Sequence, residues 1–348
     1  MGTINGILHE QCTGCGACYN KCPKDAIQME YDTEGFLFPI IDENKCVNCG
    51  LCLQSCAVNN PQYKNEKEPE CYAMWASDEI REVSSSGGMF TILANYILEQ
   101  NGYVCGAAYT EDYTAVEHII VHEKDGLTKL RGSKYVQSNT KKVYREIQQL
   151  LDGNNFVLFT GCPCQVAGLY AYLGKSYDKL YTADLVCHGV PSQKVYEKFI
   201  NDQISVHGEV DSLKFRDKEF AGWNHSMTIK FHDGDTYNRT RSHCSYLKVF
   251  LDLASIRQSC GHCKFAVLPR QGDFTLGDFW DVHKFNSDYD DRKGTSLVLF
   301  NNMHAIELVP YLKKKAKLLE KSPLEEAKKY NHQIYSSPLL NSRRKRFF

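Results

Sequence analysis

The sequence predicts an α+β protein in two parts, a small cysteine-rich N-terminal unit and a larger α/β core. Three observations predict it. Eight of the sixteen cysteines fall in two copies of one spacing, Cys12-x2-Cys15-x2-Cys18-x3-Cys22 and Cys46-x2-Cys49-x2-Cys52-x3-Cys56, with the second copy 34 residues after the first. A polar stretch from Asn59 to Glu68 then mixes proline, asparagine and charge with no apolar period, which is linker composition. Beyond it, strand-like and helix-like apolar segments alternate.

The cysteine runs come first because their chemistry is specific. A cubic [4Fe–4S] cluster needs four thiolates, three of which can come from one tight loop. In two-cluster ferredoxins the last cysteine of each run serves the other cluster. Cys12, Cys15, Cys18 and Cys56 are therefore assigned to one cluster, and Cys46, Cys49, Cys52 and Cys22 to the other. Gly14 and Gly16, with Asn48 and Gly50, keep the loops slim enough for backbone N–H groups to reach sulfur. Zinc would need four ligands as two separated pairs and would leave cysteines over. A disulfide framework needs an oxidising compartment, and MGTINGILHEQC holds no apolar signal-like stretch. One irregularity stands: Cys22 is followed by Pro23, as in ferredoxins, but Cys56 by Ala57. A two-cluster ferredoxin-type domain is thus expected over residues 1–62.

The elements of the core follow in order. Cys71 to Ala76 is strand-like. Met89 to Gln100 is helical, with Phe90, Leu93, Ala94 and Ile97 on one face and Gly102 just beyond. Tyr103 to Tyr109 and Glu117 to His122 read as strands, and Lys141 to Leu151 as a helix with Val143, Ile147, Leu150 and Leu151 inward. Phe156 to Phe159 is a short buried strand running into Thr160-Gly161, then a helix from about Gln165. Leu180 to Val186 is the next strand. Leu213 to Arg216 and Met227 to Phe231 read as an antiparallel hairpin added to the core. The alternation implies some parallel pairing.

Composition narrows the function. The 41 basic and 42 acidic residues leave a net charge of −1, so no bulk attraction to nucleic acid or anionic membrane is expected. No uncharged apolar run approaches the roughly 18 residues of a membrane span. Sixteen cysteines without a secretory signal point to a reducing cytoplasm and metal chemistry. The basic tail Ser342–Arg346 reads as a solvated terminus.

Two constellations remain in the core. Cys105, Cys162, Cys164, Cys187, Cys244, Cys260 and Cys263 recur, and Cys162-Pro163-Cys164 and Cys187-His188-Gly189 each follow a strand. Ligands of open α/β sheets bind at such carboxyl ends. Cys164, Cys187, Cys260 and Cys263 make a plausible third four-thiolate set; buried core cysteines and a zinc clip at Cys260-x2-Cys263 are the alternatives. The second constellation is Ser84-Ser85-Ser86-Gly87-Gly88 before a helix start, either a phosphate cradle for a flavin-sized ligand or an ordinary capped loop. Lys134, Gln137 and Ser138 form a further polar patch, and Asp278 lies beside a tight turn.

The order SSSGGMF, KYVQS, TGCPCQVAGL, CHGVPS, CGHCKFA, RQGDFTLGDFW and KGTSLVLF resembles the family of coenzyme F420 hydrogenase/dehydrogenase beta subunits, over roughly residues 5 to 330. Relatives include chlorophyll-cycle reductases, so membership leaves the substrate open. The resemblance implies a flavin-binding α/β core over residues 70–335, with FAD and a [4Fe–4S] cluster beside it. Cys164 matches the cysteine of the family's G-T-P-C-Q motif, while Cys162 stands where threonine is usual and is the reserve ligand. Cys187, Cys260 and Cys263 match the remaining cysteines. FAD contacts would fall on Ser85, Ser86, Gly87, Gly88, Lys134, Gln137, Ser138 and Thr160, with Asp278 near the pocket.

These parts suit exchange between one-electron and two-electron carriers, with clusters passing electrons and FAD exchanging hydride with coenzyme F420 or an organic substrate. The expected partners are a ferredoxin or a hydrogenase or dehydrogenase subunit, and a small hydride donor or acceptor. The contrasting reading is a non-catalytic electron-relay subunit, which would need no flavin.

Overall fold

A computed structural model describes residues 2–348. In the N-terminal unit, strands β1 (Ile27–Tyr31) and β2 (Leu37–Ile41) pair antiparallel, Ile27 opposite Ile41. Their turn is closed by Phe36 N–H donating to Asp32 Oδ1 at 2.8 Å. This hairpin sits between the cysteine runs, and Ile27-Gln28-Met29-Glu30-Tyr31 alternates apolar and polar residues as a half-buried strand does. Residues 59–68 lack regular structure, as a linker should, yet they do not swing free. Asn65 Nδ2 donates to the carbonyls of Arg270 (2.9 Å) and Gly272 (2.8 Å), Glu66 N–H to Asn301 O (2.9 Å), and the Tyr63 hydroxyl to Lys264 O (2.8 Å). An asparagine amide can donate to several carbonyls at once, so a polar segment becomes a pinned strap.

The core is an eight-stranded sheet. Its strands are β3 (Glu70–Trp75), β4 (Tyr103–Tyr109), β5 (Val116–Val121), β6 (Val157–Gly161), β7 (Leu180–Leu185), β11 (Phe274–Asp278), β12 (Ser296–Phe300) and β13 (Leu318–Ser322). Their spatial order is β13-β3-β12-β11-β7-β6-β4-β5. β4, β6, β7 and β11 are parallel neighbours, and β12, β13 and β5 run against their partners. β3 therefore runs the same way as β11, and the carboxyl ends of β3, β4, β6, β7 and β11 share one edge. Both faces are covered. Met74, Val104, Leu158 and Ala183 pack against the helix Met89–Glu99 on one side, while Val157 and Phe159 meet the helices Val143–Asp152 and Pro163–Leu173 on the other. Two-sided burial explains why these strands read as continuous apolar runs. Each such fully buried side chain contributes roughly 1.5–3 kcal/mol.

The predicted hairpin takes a different form. β8 (Val210–Phe215) and β9 (Ser226–Phe231) do pair antiparallel, but with β10 (Thr236–Thr240) they make a separate three-stranded sheet. The long connection between β8 and β9 exceeds what a hairpin needs, and it leans over the main sheet's carboxyl edge. The chain end is also engaged. Ser337 Oγ donates to Gly261 O at 3.1 Å, and Leu340 lies so close that a Cβ on Gly261 would sit 2.4 Å from it. Arg344 donates to Ile256 O at 2.8 Å and pairs with Glu34, and Phe348 packs edge-on against Phe36 at 5.9 Å. Part of the basic tail is thus a clamp between core and N-terminal unit rather than a solvated end.

Candidate functional site

The two cysteine loops repeat in backbone as in sequence. Gly14 and Asn48 both have positive φ (67° and 54°), and Gly16 and Gly50 follow at 78° and 77°. Each pair precedes a short helix, Ala17–Lys21 or Leu51–Gln54. Their surroundings differ. A Cβ on Gly14 would lie 2.8 Å from Leu37 O and 2.9 Å from Arg257 Nη1, and one on Gly16 would lie 2.4 Å from Thr140 Oγ1. Only glycine lets the core approach that closely; at Asn48 nothing demands it.

The first loop is sealed against the core. Burial, then the sulfurs of Cys56 and Cys12, push the Cys15 thiol up to about 12. Burial and the sulfurs of Cys15, Cys12 and Cys56 push Cys18 well above its ordinary range. Cys12, Cys15, Cys18 and Cys56 thus converge. The buried Thr13 hydroxyl has no hydrogen-bond partner among the described residues, and it lies where it lowers the Cys15 thiol. Cys22, Cys46, Cys49 and Cys52 line a cavity at the other end of the unit, where Cys49 is exposed. The first set is packed against the core, while the second opens to solvent at Cys49.

The core cysteines gather at the sheet's carboxyl edge. Burial, then Cys263, Cys187, Cys15 and Cys260, raise the Cys164 thiol. Cys260 is pushed up to about 12 by burial and by Cys187 and Cys263. Cys162 caps the helix Pro163–Leu173, its N–H donating to Gln165 Oε1 at 2.9 Å, and its sulfur lies 3.8 Å from that of Cys187. Cys187, held low by that contact and despite burial, also accepts from Gly189 N–H at 3.4 Å. Cys71, Cys105 and Cys244 are buried apart, as core cysteines.

Three sets therefore lie in sequence, and Gly168 shows how tightly two of them pack. A Cβ there would sit 3.0 Å from the Cys15 sulfur, so the first loop rests on the helix that carries Cys164. The donor sets fit iron–sulfur clusters. Backbone N–H groups point at sulfur throughout: Ala26 at Cys22 (3.3 Å), Gly189 at Cys187, Val58 and Asn59 at Cys56, Phe265 and Ala266 at Cys263. Such donors stabilise thiolate and tune potential. Among the described residues, no three His, Cys, Asp or Glu side chains are grouped to hold a single metal ion. Thiolates on one zinc ion would stand about 3.8 Å apart, given Zn–S near 2.3 Å, and a four-iron cube spreads them wider.

A polar cluster lies at the same sheet edge, where Arg216 bridges Asp278 (2.8 Å) and Ser85 O (3.5 Å). Ser85 Oγ accepts from Ser133 N–H at 2.7 Å, and Ser86 Oγ donates to Thr295 O at 3.0 Å. Gly87 fits between β3 and β12, where a Cβ would strike Met74 O at 2.1 Å, and Gly88 opens the helix Met89–Glu99. Lys218 donates to Ser86 O and Arg81 O, both at 2.7 Å, which brings positive charge against this loop. Lys134 donates to the carbonyls of Leu130, Arg131 and Gly132. Burial pushes it down to about 7, with no carboxylate among its bonds. Asp278 pairs with Arg216 (2.8 Å) and accepts from Trp223 Nε1 (2.8 Å); burial opposes its charge, yet these partners hold the carboxyl below its ordinary range.

The expected contacts do not all join this cluster. Ser85, Ser86, Gly87, Gly88 and Asp278 are drawn together through Arg216 and Lys218. Thr160 Oγ1 donates to Cys105 O at 3.2 Å, and Ser138 accepts from Gln165 Nε2 at 3.0 Å. Gln137 turns to the N-terminal unit, donating to Thr13 O at 3.1 Å and accepting from Arg257 at 3.3 Å. Sequence reasoning missed Arg216, Lys218 and Trp223. Trp223 and Trp280 stack at 5.1 Å, with the Arg216 guanidinium 4.8 Å from the Trp280 ring. The available signal was a β8–β9 loop too long for a hairpin and rich in cations and aromatics.

Comparison with known proteins gives three family matches. A 4Fe-4S dicluster domain covers residues 11–60. The coenzyme F420 hydrogenase/dehydrogenase beta subunit matches in two stretches, its N-terminal part over 71–145 and its C-terminal part over 155–326. The F subunit of the F(420)H(2) dehydrogenase of Methanosarcina mazei is 23% identical over 271 residues, 71% of this chain and 75% of that protein. Pyruvate synthase subunit PorD of Thermotoga maritima is 48% identical over 33 residues, 10% of this chain and 33% of that protein. In a solved structure of the F420-reducing [NiFe] hydrogenase complex from Methanosarcina barkeri, one chain superposes with a TM-score of 0.52 at 17% identity. The match covers 79% of this chain and 90% of that one, and it shows a shared fold.

Proposed function

The chain belongs to the family of coenzyme F420 hydrogenase/dehydrogenase beta subunits, with a 4Fe-4S dicluster domain ahead of it, and from that membership we propose an iron–sulfur flavoprotein oxidoreductase. Cys22, Cys46, Cys49 and Cys52 would hold an outer cluster, Cys12, Cys15, Cys18 and Cys56 an inner one, and Cys164, Cys187, Cys260 and Cys263 a core cluster. Ser85, Ser86, Gly87, Gly88, Lys134, Ser138 and Thr160 would hold FAD, with Asp278 and Arg216 at its edge and Gln137 as a bridge to the N-terminal unit. The observation that carries this reading is the contact at Gly168, where the inner loop meets the helix of Cys164. Bound in these places, the clusters supply one-electron transfer and FAD supplies hydride exchange.

The protein's own contribution is placement and charge. The exposed outer set offers a docking end to a redox partner such as ferredoxin or a hydrogenase or dehydrogenase subunit. The polar cluster offers a small hydride donor or acceptor, such as coenzyme F420 or an organic substrate, its own entrance. Trp223 and Trp280 give that entrance an apolar wall. Lys134 and Lys218 give it positive charge.

Cofactor content tests the reading. Protein prepared without oxygen should hold about twelve irons, matching sulfide, and one FAD per chain. About eight irons would remove the core cluster. Absence of flavin would leave an electron-relay subunit.

The polar cluster adds a pH prediction. Lys134, depressed to about 7 in the free protein, must take up a proton above that pH to meet an anionic ligand. FAD affinity of the flavin-free protein should therefore be greatest below pH 7 and fall as pH rises toward 9. Lys134→Met should bind more weakly and without this slope. Fluorescence titration with FAD at several pH values measures both; a slope that survives in Lys134→Met assigns the effect elsewhere.

A further inference from the structure

We propose that Arg257 is a positioning residue for electron transfer: a buried, permanently charged guanidinium between the inner and core cysteine sets that raises the reduction potential of both clusters. The inference rests on the cluster reading given under Proposed function.

Arg257 is 1% exposed. Its Nε donates to Cys12 O at 2.8 Å, Nη2 to Leu37 O at 3.0 Å, and Nη1 to Gln137 Oε1 at 3.3 Å. The Phe38 and Phe36 rings lie 4.1 and 5.5 Å from its Cζ. Its backbone joins the other side, with N–H donating to Val190 O at 2.9 Å and its carbonyl accepting from Cys260 N–H at 3.1 Å. One residue thus grips the Cys12 loop, the loop of Cys187 and the Cys260 clip.

Every side-chain bond it makes goes to a neutral acceptor. The two carboxylates that line the same cavity are engaged elsewhere: Asp32 accepts from Phe36 N–H and faces His9, and Glu34 pairs with Arg344. Arginine cannot shed its proton, and a buried charge is costly unless something nearby compensates it. The groups placed to do so are the two cysteine sets, anionic once they hold iron. Reduction adds one further negative charge to a cluster. A fixed cation in a poorly screening interior favours that state, so it raises the potential. Sharing one cation keeps the inner and core potentials moving together.

A purely structural role would tie the loops equally well, so the test must read potential. Redox-poised electron paramagnetic resonance of the full chain, handled anaerobically, follows each cluster. In Arg257→Met the reduced-to-oxidised ratio of the inner and core clusters at their original midpoints should fall about tenfold, or about 59 mV for a one-electron couple. The outer cluster should not move. Gln137→Glu, which sets a carboxylate beside the guanidinium and leaves the arginine in place, should shift the same two midpoints downward. Unchanged inner and core midpoints in either variant, with clusters retained, overturn the proposal. If Arg257→Met loses its clusters, Gln137→Glu decides alone; loss of the inner cluster in that variant also overturns it, since the amide would then govern the loop. A parent protein without inner or core signals refutes the cluster assignment, a separate failure seen before any variant is made.

Discussion

Cys46→Ala is expected to leave the flavin almost unreachable by reduced ferredoxin, while a direct hydride donor still reduces it at nearly the parent rate. The outer cysteine set is the solvent-facing one, whereas the inner set is packed against the core. In the proposed reading, loss of one outer ligand removes the cluster through which a protein donor's electrons enter. A hydride donor, in the same reading, acts at the polar cluster of Ser85, Lys134 and Asp278 on the sheet's carboxyl edge, away from the outer set. Anaerobic stopped-flow absorbance separates the routes. Equal slowing of both would mean that the cysteine sets are not an independent path. Failure of reduced deazaflavin to act on the parent protein would move the hydride partner to an organic substrate.

Arg270→Met should destabilise the fold by about 3–5 kcal/mol, as breaking a buried ion pair does when one partner stays behind. Arg270 and Asp184 are both fully buried, 2.9 Å apart. Asp184 also accepts from Gln271 N–H and Gly272 N–H, both at 2.9 Å, and from Thr275 Oγ1 at 2.7 Å. Arg270 in turn donates to Leu185 O at 2.8 Å and Gln333 O at 3.2 Å. Its loss strands a carboxylate inside and loosens the end of β7 two residues before Cys187. Chemical denaturation under anaerobic conditions measures the first effect. The second should appear as faster loss of the core cluster signal than of the N-terminal ones. A variant as stable as the parent would show that the amide donors alone satisfy Asp184.

The parts legible in the sequence were those with local causes. The cysteine runs, the helix Met89–Glu99 and the strands around Phe159 and Leu180 declare themselves within a dozen residues, through spacing or apolar period. Cys164 and Cys187, each after a strand, and the clip Cys260-x2-Cys263 group by position without the resemblance, and the fold brings these four sulfurs close together. What stayed hidden depends on partners far away in the chain. Arg257 reads as an ordinary surface arginine until Cys12, 245 residues earlier, is placed beside it. Arg216 closes a segment that reads as a strand, and Trp223 lies in the connection expected to be a hairpin turn. Asn65 sits in apparent linker, because an amide's donors give no hint of which carbonyls they will meet. The β1–β2 hairpin carried a local signal of its own, the apolar–polar alternation of Ile27 to Tyr31, but it lies between two cysteine runs and was passed over.

The clamp at the chain's end also sets an order of events during synthesis. Glu34 and Arg344 are 310 residues apart, and a nascent chain presents its N-terminal part first. Glu34 therefore waits for its guanidinium until Arg344 has been made and released from the ribosome. Until then Gly261, between Cys260 and Cys263, has neither Ser337 nor Leu340 over it. Anything delivered from outside to those sulfurs has its widest access while the ribosome still holds the segment of Ser337 and Leu340, and docking of that segment closes the window.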